Sequence, residues 1–383
     1  MILVILEDKM MRLSLIHYLI QLLGWRTRRK IVIIESDDWG SIRMPSKEIY
    51  KKLLDVGFHV DRCPFSMYDS LERGEDLSAL FDVLLSVRDK NGNPAVITAN
   101  SVVANPAFEC IENSDFREYY YEEVTDTFDK YRGCENSFEL IKQGMDAKVW
   151  HPQFHGREHL NIIRWMKALQ REDEVTMLSF KQEHFGLSDK VTSKLKVRYM
   201  DALGNVGKET LEEESKIIEE GTRLFEKLYG YRSKSFIAPC YTWRKEIEPV
   251  LANNDLKYLQ GLSFQQIPVQ EDPLRFQSCY HYMGEKNRFG QYYIVRNAFF
   301  EPYKGGTVDY VGECLSRINI AFRCYKPAII SSHRVNFIGT LDEEYRNKNL
   351  ELLRELLKRI VQKWPDVEFL TSDQLGDLIT SRL

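Results

Sequence analysis

The sequence predicts one α/β domain built on a parallel sheet, open or closed into a barrel. Three observations predict it. Strand-like and helix-like segments alternate from end to end of the 383 residues. The strands are short continuous apolar runs, as strands covered on both faces require. No linker, repeat or composition break divides the chain. In such folds the chemistry collects at the C-terminal ends of the strands.

The elements follow in order. Residues 13–23 (LSLIHYLIQLL) read as an apolar helix, with Arg26, Arg28, Arg29 and Lys30 after it. Glu7 and Asp8 come first, so the charge order does not fit a secretory leader, and the run is too short to span a bilayer. The helix either closes the bottom of the fold or lies at a membrane surface with its basic end on anionic lipid. Residues 1–29 are therefore set apart as an N-terminal amphipathic helix, and 30–383 as a single domain.

The stretch 30–40, KIVIIESDDWG, is the first strand: Ile31 to Ile34 form its apolar run, and Asp37 and Asp38 stand at its end. Residues 46–56 read as a short helix with Ser46 as N-cap. Residues 57–73 read as a loop. A helix over 77–89 stops at the turn signal Asn91-Gly92-Asn93-Pro94, before a strand at 95–100. Residues 112–146 carry charge and aromatics without a clear period and read as an insertion. A strand at 147–154 leads to an amphipathic helix at 158–170, with Leu160, Ile163, Met166 and Leu169 on one side. A weak strand at 196–200 precedes a long helix at 209–228, ended by Gly230. Then come a strand at 235–239, a helix at 245–252, and strands at 256–259 and 292–295 around an irregular loop. A helix at 307–322, a strand at 328–331, a helix at 341–364 and a strand at 367–370 complete the chain.

Lysine and arginine number 53 against 57 acids, a net charge of −4, which excludes a nucleic-acid binder that depends on a strongly basic field. The 7 cysteines are an odd number with no CxxC pair, pointing to free thiols in a reducing compartment and hence a cytoplasmic protein.

The polar residues that end the strands carry the functional reading. Taken alone, Asp37-Asp38 also fits a polar strand terminus with a capping Asp before Gly40. Yet of 8 histidines, His151, His155, His159 and His333 gather at two strand ends. His155 and His159 are spaced i, i+4. If a helix starts near Gly156, both imidazoles share one side of its first turn. Two neutral imidazoles and one carboxylate make a three-ligand set for Zn²⁺, or for Co²⁺ or Ni²⁺, with a position left open. A capping His and a surface His would fit as well. His151 sits on the extended strand, about 13 Å along the chain from His155, too far to share a metal. The same residues spell H-x-x-E-H, a spacing used by one class of zinc metallopeptidases, with Glu158 as base.

The ordered set Asp37-Asp38, His155-x-x-x-His159 with Leu160, Ala238-Pro239-Cys240-Tyr241 and Ser332-His333 resembles the polysaccharide deacetylases of the NodB type. The resemblance spans roughly residues 30 to 340, as a divergent member. It implies an incomplete or distorted (β/α)7 barrel with long loop insertions. It also implies metal-dependent removal of an acyl group from an amino sugar, N-acetyl ahead of O-acetyl, on a sugar or polysaccharide precursor inside the cell. By position, Asp38, His155 and His159 would hold the metal. Asp37 would be the general base and His333 the general acid. A backbone N–H after Pro239, that of Cys240 or Tyr241, would face the oxyanion.

The sequence departs from the family pattern at two places. Trp39 stands where the family has Gly, and Ile237 or Ala238 where it has an Arg that orients the base. Arg296 is the expected replacement, and Glu301 the expected partner of the acid histidine. Trp39, Tyr241, Trp243 and Phe299 or Phe300 would offer aromatic faces to a sugar ring. The rival readings are an HxxEH peptidase and a glycan-binding barrel without turnover.

Overall fold

Ile31, Val32, Ile33 and Ile34 are buried almost completely, which places the first strand in the middle of the sheet. The computed structural model describes residues 18, 21–192, 198–271 and 274–381. The strands are β1 (Lys30–Trp39), β2 (Ile97–Ser101), β3 (Trp150–Phe154), β4 (Ser235–Phe236), β5 (Tyr258–Gly261), β6 (Tyr292–Val295), β7 (Ala298–Phe299), β8 (Ala328–His333) and β9 (Val367–Phe369). They form one parallel sheet in the order β6-β5-β4-β3-β2-β1-β8-β7, with β9 paired to the start of β1. The result is a distorted, barrel-like (β/α) sheet with helical insertions.

Only Arg296 and Asn297 separate β6 from β7. The Arg296 N–H donates to Gly261 O on β5, and the Asn297 N–H donates to Ile329 O on β8. The segment 292–299 thus spans the two outer edges of the sheet.

The helical periods are reproduced with shifted ends. Lys47–Asp55 is a helix whose N-cap, Ser46, accepts from the Ile49 N–H at 3.2 Å. Lys208–Tyr229 stops at Gly230, which takes the left-handed conformation (φ 77°) that a side chain would resist. Gly74–Leu85, Tyr310–Arg323 and Glu343–Lys363 fill the other predicted helices. The expected helix at 245–252 is a 3₁₀ turn, Lys245–Ile247, followed by Glu248–Asn253.

Several expectations need correction. Most of the helix expected over 13–23 lies outside the described residues, and residues 21–24 run as a turn. The helix expected from Glu158 begins at Ile162, because Asn161 caps it by accepting from the Arg164 N–H. Residues 198–200 form no strand, while 196 and 197 lie outside the described residues. The loop between β5 and β6 contains an antiparallel hairpin, Phe264–Glu271 with Leu274–Tyr280. Its Gln265, Gln266 and Pro268 weaken the apolar alternation that marks a strand.

The insertion after β2 holds the strand pair Ala104–Pro106 and Tyr121–Glu123, plus the helices Phe108–Asn113, Val124–Lys130 and Ser137–Asp146. All but Ser137–Asp146 are three to seven residues long, too short to show a period. The loop 57–73 carries two helical turns, Val60–Arg62 and Pro64–Met67, and Glu174–Phe180 and Ser372–Thr380 are helices that no period announced. Among the described residues, no helix is long and apolar enough to cross a membrane.

Two apolar cores result. The larger joins the sheet to its helices. The smaller, including Ile42, Phe58, Trp165, Phe180 and Tyr199, supports the segments that wall the mouth of the sheet.

Candidate active site

Parallel register brings the first pair together. Asp37 on β1 is the neighbour of His333 on β8. A β-bulge follows between Ser36 and Trp39, and Asp38 takes φ 78°. On a regular strand Asp37 and Asp38 would face opposite sides. The bulge lets both carboxylates line one cavity of about 190 Å³ at the C-terminal mouth, together with His155, His159, Cys240, Tyr241 and His333. A positive φ at a non-glycine residue is costly and concentrates at functional positions.

Asp38 Oδ1 lies 3.4 Å from His155 Nε2 and 3.1 Å from His159 Nε2. The ligand atoms of the three residues are all within 4.8 Å of one another, and all three side chains are buried. The helical explanation of this pair is wrong, however. His155 directly follows β3, and Gly156 (φ 108°) turns the chain so that His159 folds back from a loop. Arg157 O anchors that loop by accepting the N–H groups of Val103 and Ala104.

His155 donates from Nδ1 to Ile237 O at 2.9 Å, which leaves the Nε2 lone pair aimed at the cluster. His159 Nδ1 is buried without a partner among the described residues. Burial, partly countered by Asp38, pushes the His159 imidazole down to about 4, so it is neutral at physiological pH. Burial works to raise Asp38, but Arg43 and then His159 outweigh it and hold the carboxyl well below its ordinary value. Arg43 Nη2 donates to Asp38 Oδ2 at 2.9 Å. Two imidazole Nε2 atoms and one ionised carboxylate, converging in a buried site, fit a divalent cation.

Asp37 sits in a different environment. Arg296 forks onto both its oxygens at 2.6 Å, and Asn100 Nδ2 donates to Oδ1 at 2.8 Å. Arg296 also donates to Glu35 at 2.5 Å and to the Tyr241 hydroxyl at 3.0 Å. Burial raises Asp37, yet Arg296 more than offsets it and the carboxyl stays below its ordinary value. Three of about four lone-pair sites on Asp37 are used. His333 Nε2 lies 3.7 Å from Asp37 Oδ2, and His333 Nδ1 lies 2.6 Å from Glu301 Oε1. Burial opposes the imidazolium, but Glu301, then Asp37 and Asp38, hold it up at about 9.

The motif around Pro239 turns sharply, with Cys240 and Tyr241 both at φ 56°. The Tyr241 N–H is taken by Ala238 O at 2.9 Å. Among the described contacts none takes the Cys240 N–H. Burial pushes the Cys240 thiol up to about 12, so this cysteine is no thiolate nucleophile.

Three aromatic residues expected at the site, and the Glu158 of the rival peptidase reading, stand elsewhere. Trp39 does not reach the cavity: it is 1% exposed, packs edge-on against Trp150 at 4.5 Å, and donates to Ser36 Oγ. Trp243 and Phe300 are likewise core residues. Glu158 is not among the residues that line the cavity; it is held by Arg157 at 2.7 Å and by the Tyr119 hydroxyl at 3.0 Å. His151, as expected, stands apart, bonded to Asp373 and stacked on Tyr231. Sequence reasoning missed Arg43, Asn100, Phe65 and His184. Asn100 is the last residue but one of β2, so the strand-end rule applied once more would have found it. Phe65 sits edge-on to His333 at 5.5 Å, and nothing local marks it.

No protein-family model matches the chain, and no curated protein matches it. Solved structures do. A glycoside hydrolase/deacetylase candidate from Parabacteroides distasonis superposes with a TM-score of 0.50 at 9% identity, covering 93% of this chain and 72% of that one. A polysaccharide deacetylase candidate from Mycobacterium smegmatis gives 0.46 at 12% identity, covering 94% and 93%. One from Pseudomonas aeruginosa PAO1 gives 0.44 at 8%, covering 92% and 90%. At these identities the likeness is one of fold.

Proposed function

We propose that this protein is a metal-dependent carbohydrate deacetylase of the polysaccharide deacetylase type, removing an acyl group, N-acetyl ahead of O-acetyl, from a sugar or glycan precursor. One observation carries the reading. A buried Asp38, His155 and His159 cluster lies beside an arginine-clamped carboxylate on one side and a carboxylate-held imidazolium on the other. Asp38, His155 and His159 would hold the metal, Zn²⁺ foremost, which when bound polarises the acyl carbonyl and acidifies water.

The chain's own groups divide the proton work. Asp37 is ionised, and its remaining Oδ2 lone pair accepts a proton from the attacking water. His333, charged and oriented by Glu301, delivers a proton from Nε2 to the departing amine. The Cys240 N–H, uncommitted among the described contacts, supports the oxyanion. Arg296 replaces the family's base-orienting arginine from a different strand end, which favours turnover over a glycan-binding barrel without it.

The segment 292–299, bonded to both sheet edges, supports reading the sheet as a distorted (β/α)7-type barrel. The described cysteines are all free, which supports a reducing, cytoplasmic setting. Contact of the N-terminal helix with the inner membrane face, and the absence of a nucleic-acid partner, remain part of this proposal.

The test is acetate release from N-acetylated amino sugars. A chelator should abolish it and Zn²⁺, Co²⁺ or Ni²⁺ restore it. Glu158→Gln should keep activity within a few fold. Release that survives metal removal, or that needs Glu158, overturns the reading.

A further inference from the structure

His184 has no part in the chemistry above, yet it lines the same cavity. It lies four residues beyond the helix Glu174–Phe180, in the wall that the smaller core supports. Its side chain is 1% exposed and its tautomer is fixed by its neighbours. Ser179 Oγ donates its only hydrogen to His184 O at 2.6 Å. It must therefore accept from His184 Nδ1, 2.9 Å away. The proton sits on Nδ1, and Nε2 carries a lone pair with no partner among the described residues.

Gly186, also in the cavity wall, sits against that lone pair. A Cβ there would stand 3.1 Å from His184 Nε2. The glycine leaves the approach to Nε2 open. This acceptor opens onto the cavity, and it costs free energy to leave it unpaired once a bound substrate has displaced water. The catalytic groups gain nothing from it, because Asp37, Asp38 and His333 have their own partners.

We propose that His184 Nε2 is a specificity-determining acceptor that takes the O–H of a sugar hydroxyl while the acyl group lies at Asp37 and Asp38, with Gly186 keeping that approach clear. This rests on the deacetylase reading and adds the feature of the substrate that is recognised. Binding of this kind acts on ground state and transition state alike, so it appears in KM more than in kcat.

The test uses the metal-loaded full chain, with N-acetylglucosamine, its 3-, 4- and 6-deoxy analogues, and 4-nitrophenyl acetate, which has no sugar hydroxyl. In the wild type one deoxy analogue should lose about three- to tenfold in kcat/KM, the scale of one neutral hydrogen bond. In His184→Met that penalty should vanish, with KM for the parent sugar raised by the same factor. Gly186→Ala, which leaves His184 in place, should do the same if the methionine variant misfolds. A deoxy penalty that persists in both variants, or no penalty at any position, overturns the role of His184. Failure of the wild type to release acetate from any of these compounds sinks the deacetylase reading itself and this inference with it.

Discussion

Asp37 and Asp38 are neighbours in the chain, equally buried, and chemically opposite. Asp38 faces two imidazoles, those of His155 and His159, and a single arginine contact. Asp37 is gripped by a bidentate arginine and an amide, with an imidazolium close by. The first arrangement suits holding a cation, the second moving a proton. The difference comes from one bulge on β1. It sends the second carboxylate toward β3 while the first stays in register with β8.

The comparison breaks most completely at Asp38. Asp38→Asn should take metal content, read by elemental analysis, to background, and acetate release with it. Asp37→Asn should keep full metal content and lose about 10²- to 10⁴-fold in kcat, the usual scale of a general base. If both variants lose metal, the two carboxylates are not divided as described.

Arg296→Gln comes next. Removing one partner from a fully buried ion pair costs about 3–5 kcal/mol, visible in denaturant unfolding. Arg296 holds the Asp37 carboxyl down, so without it Asp37 takes up a proton at higher pH. The acid limb of the rate profile should therefore move to higher pH. An unmoved acid limb would remove Asp37 from the role of base.

The smallest expected effect is at Glu301. It raises His333, whose charge persists to about pH 9. His333 works while protonated, so activity should fall as pH rises through that value. In Glu301→Gln the alkaline limb should move down by about one to three pH units. A limb that stays put would show that His333 is not the acid that limits the rate.

Much of this was legible in the sequence, for physical reasons. Ile31 to Ile34 could only be a buried strand, so a strand end had to fall at the two aspartates. The same logic placed His155 and His333 at other strand ends, and these ends share one mouth in a parallel fold. Amphipathic periods gave the long helices, whose buried faces are a local property of spacing. What failed was whatever depends on chain geometry between regular elements. The i, i+4 spacing of His155 and His159 suggested a helix, but a glycine turn brings them together. Trp39 sits beside the site in sequence and in the core in space, because a bulge redirects neighbouring side chains independently.

The sequence by itself determined the alternation of elements, the identity of the reacting side chains and the strand ends that bear them, since these follow from local apolar runs and composition. Only the tertiary structure decided which groups touch. Arg296 reaches Asp37 across 259 positions of chain, and Glu35 across 261. Contacts of that range leave no trace in local spacing, because they are set by how the sheet closes its ranks around the mouth.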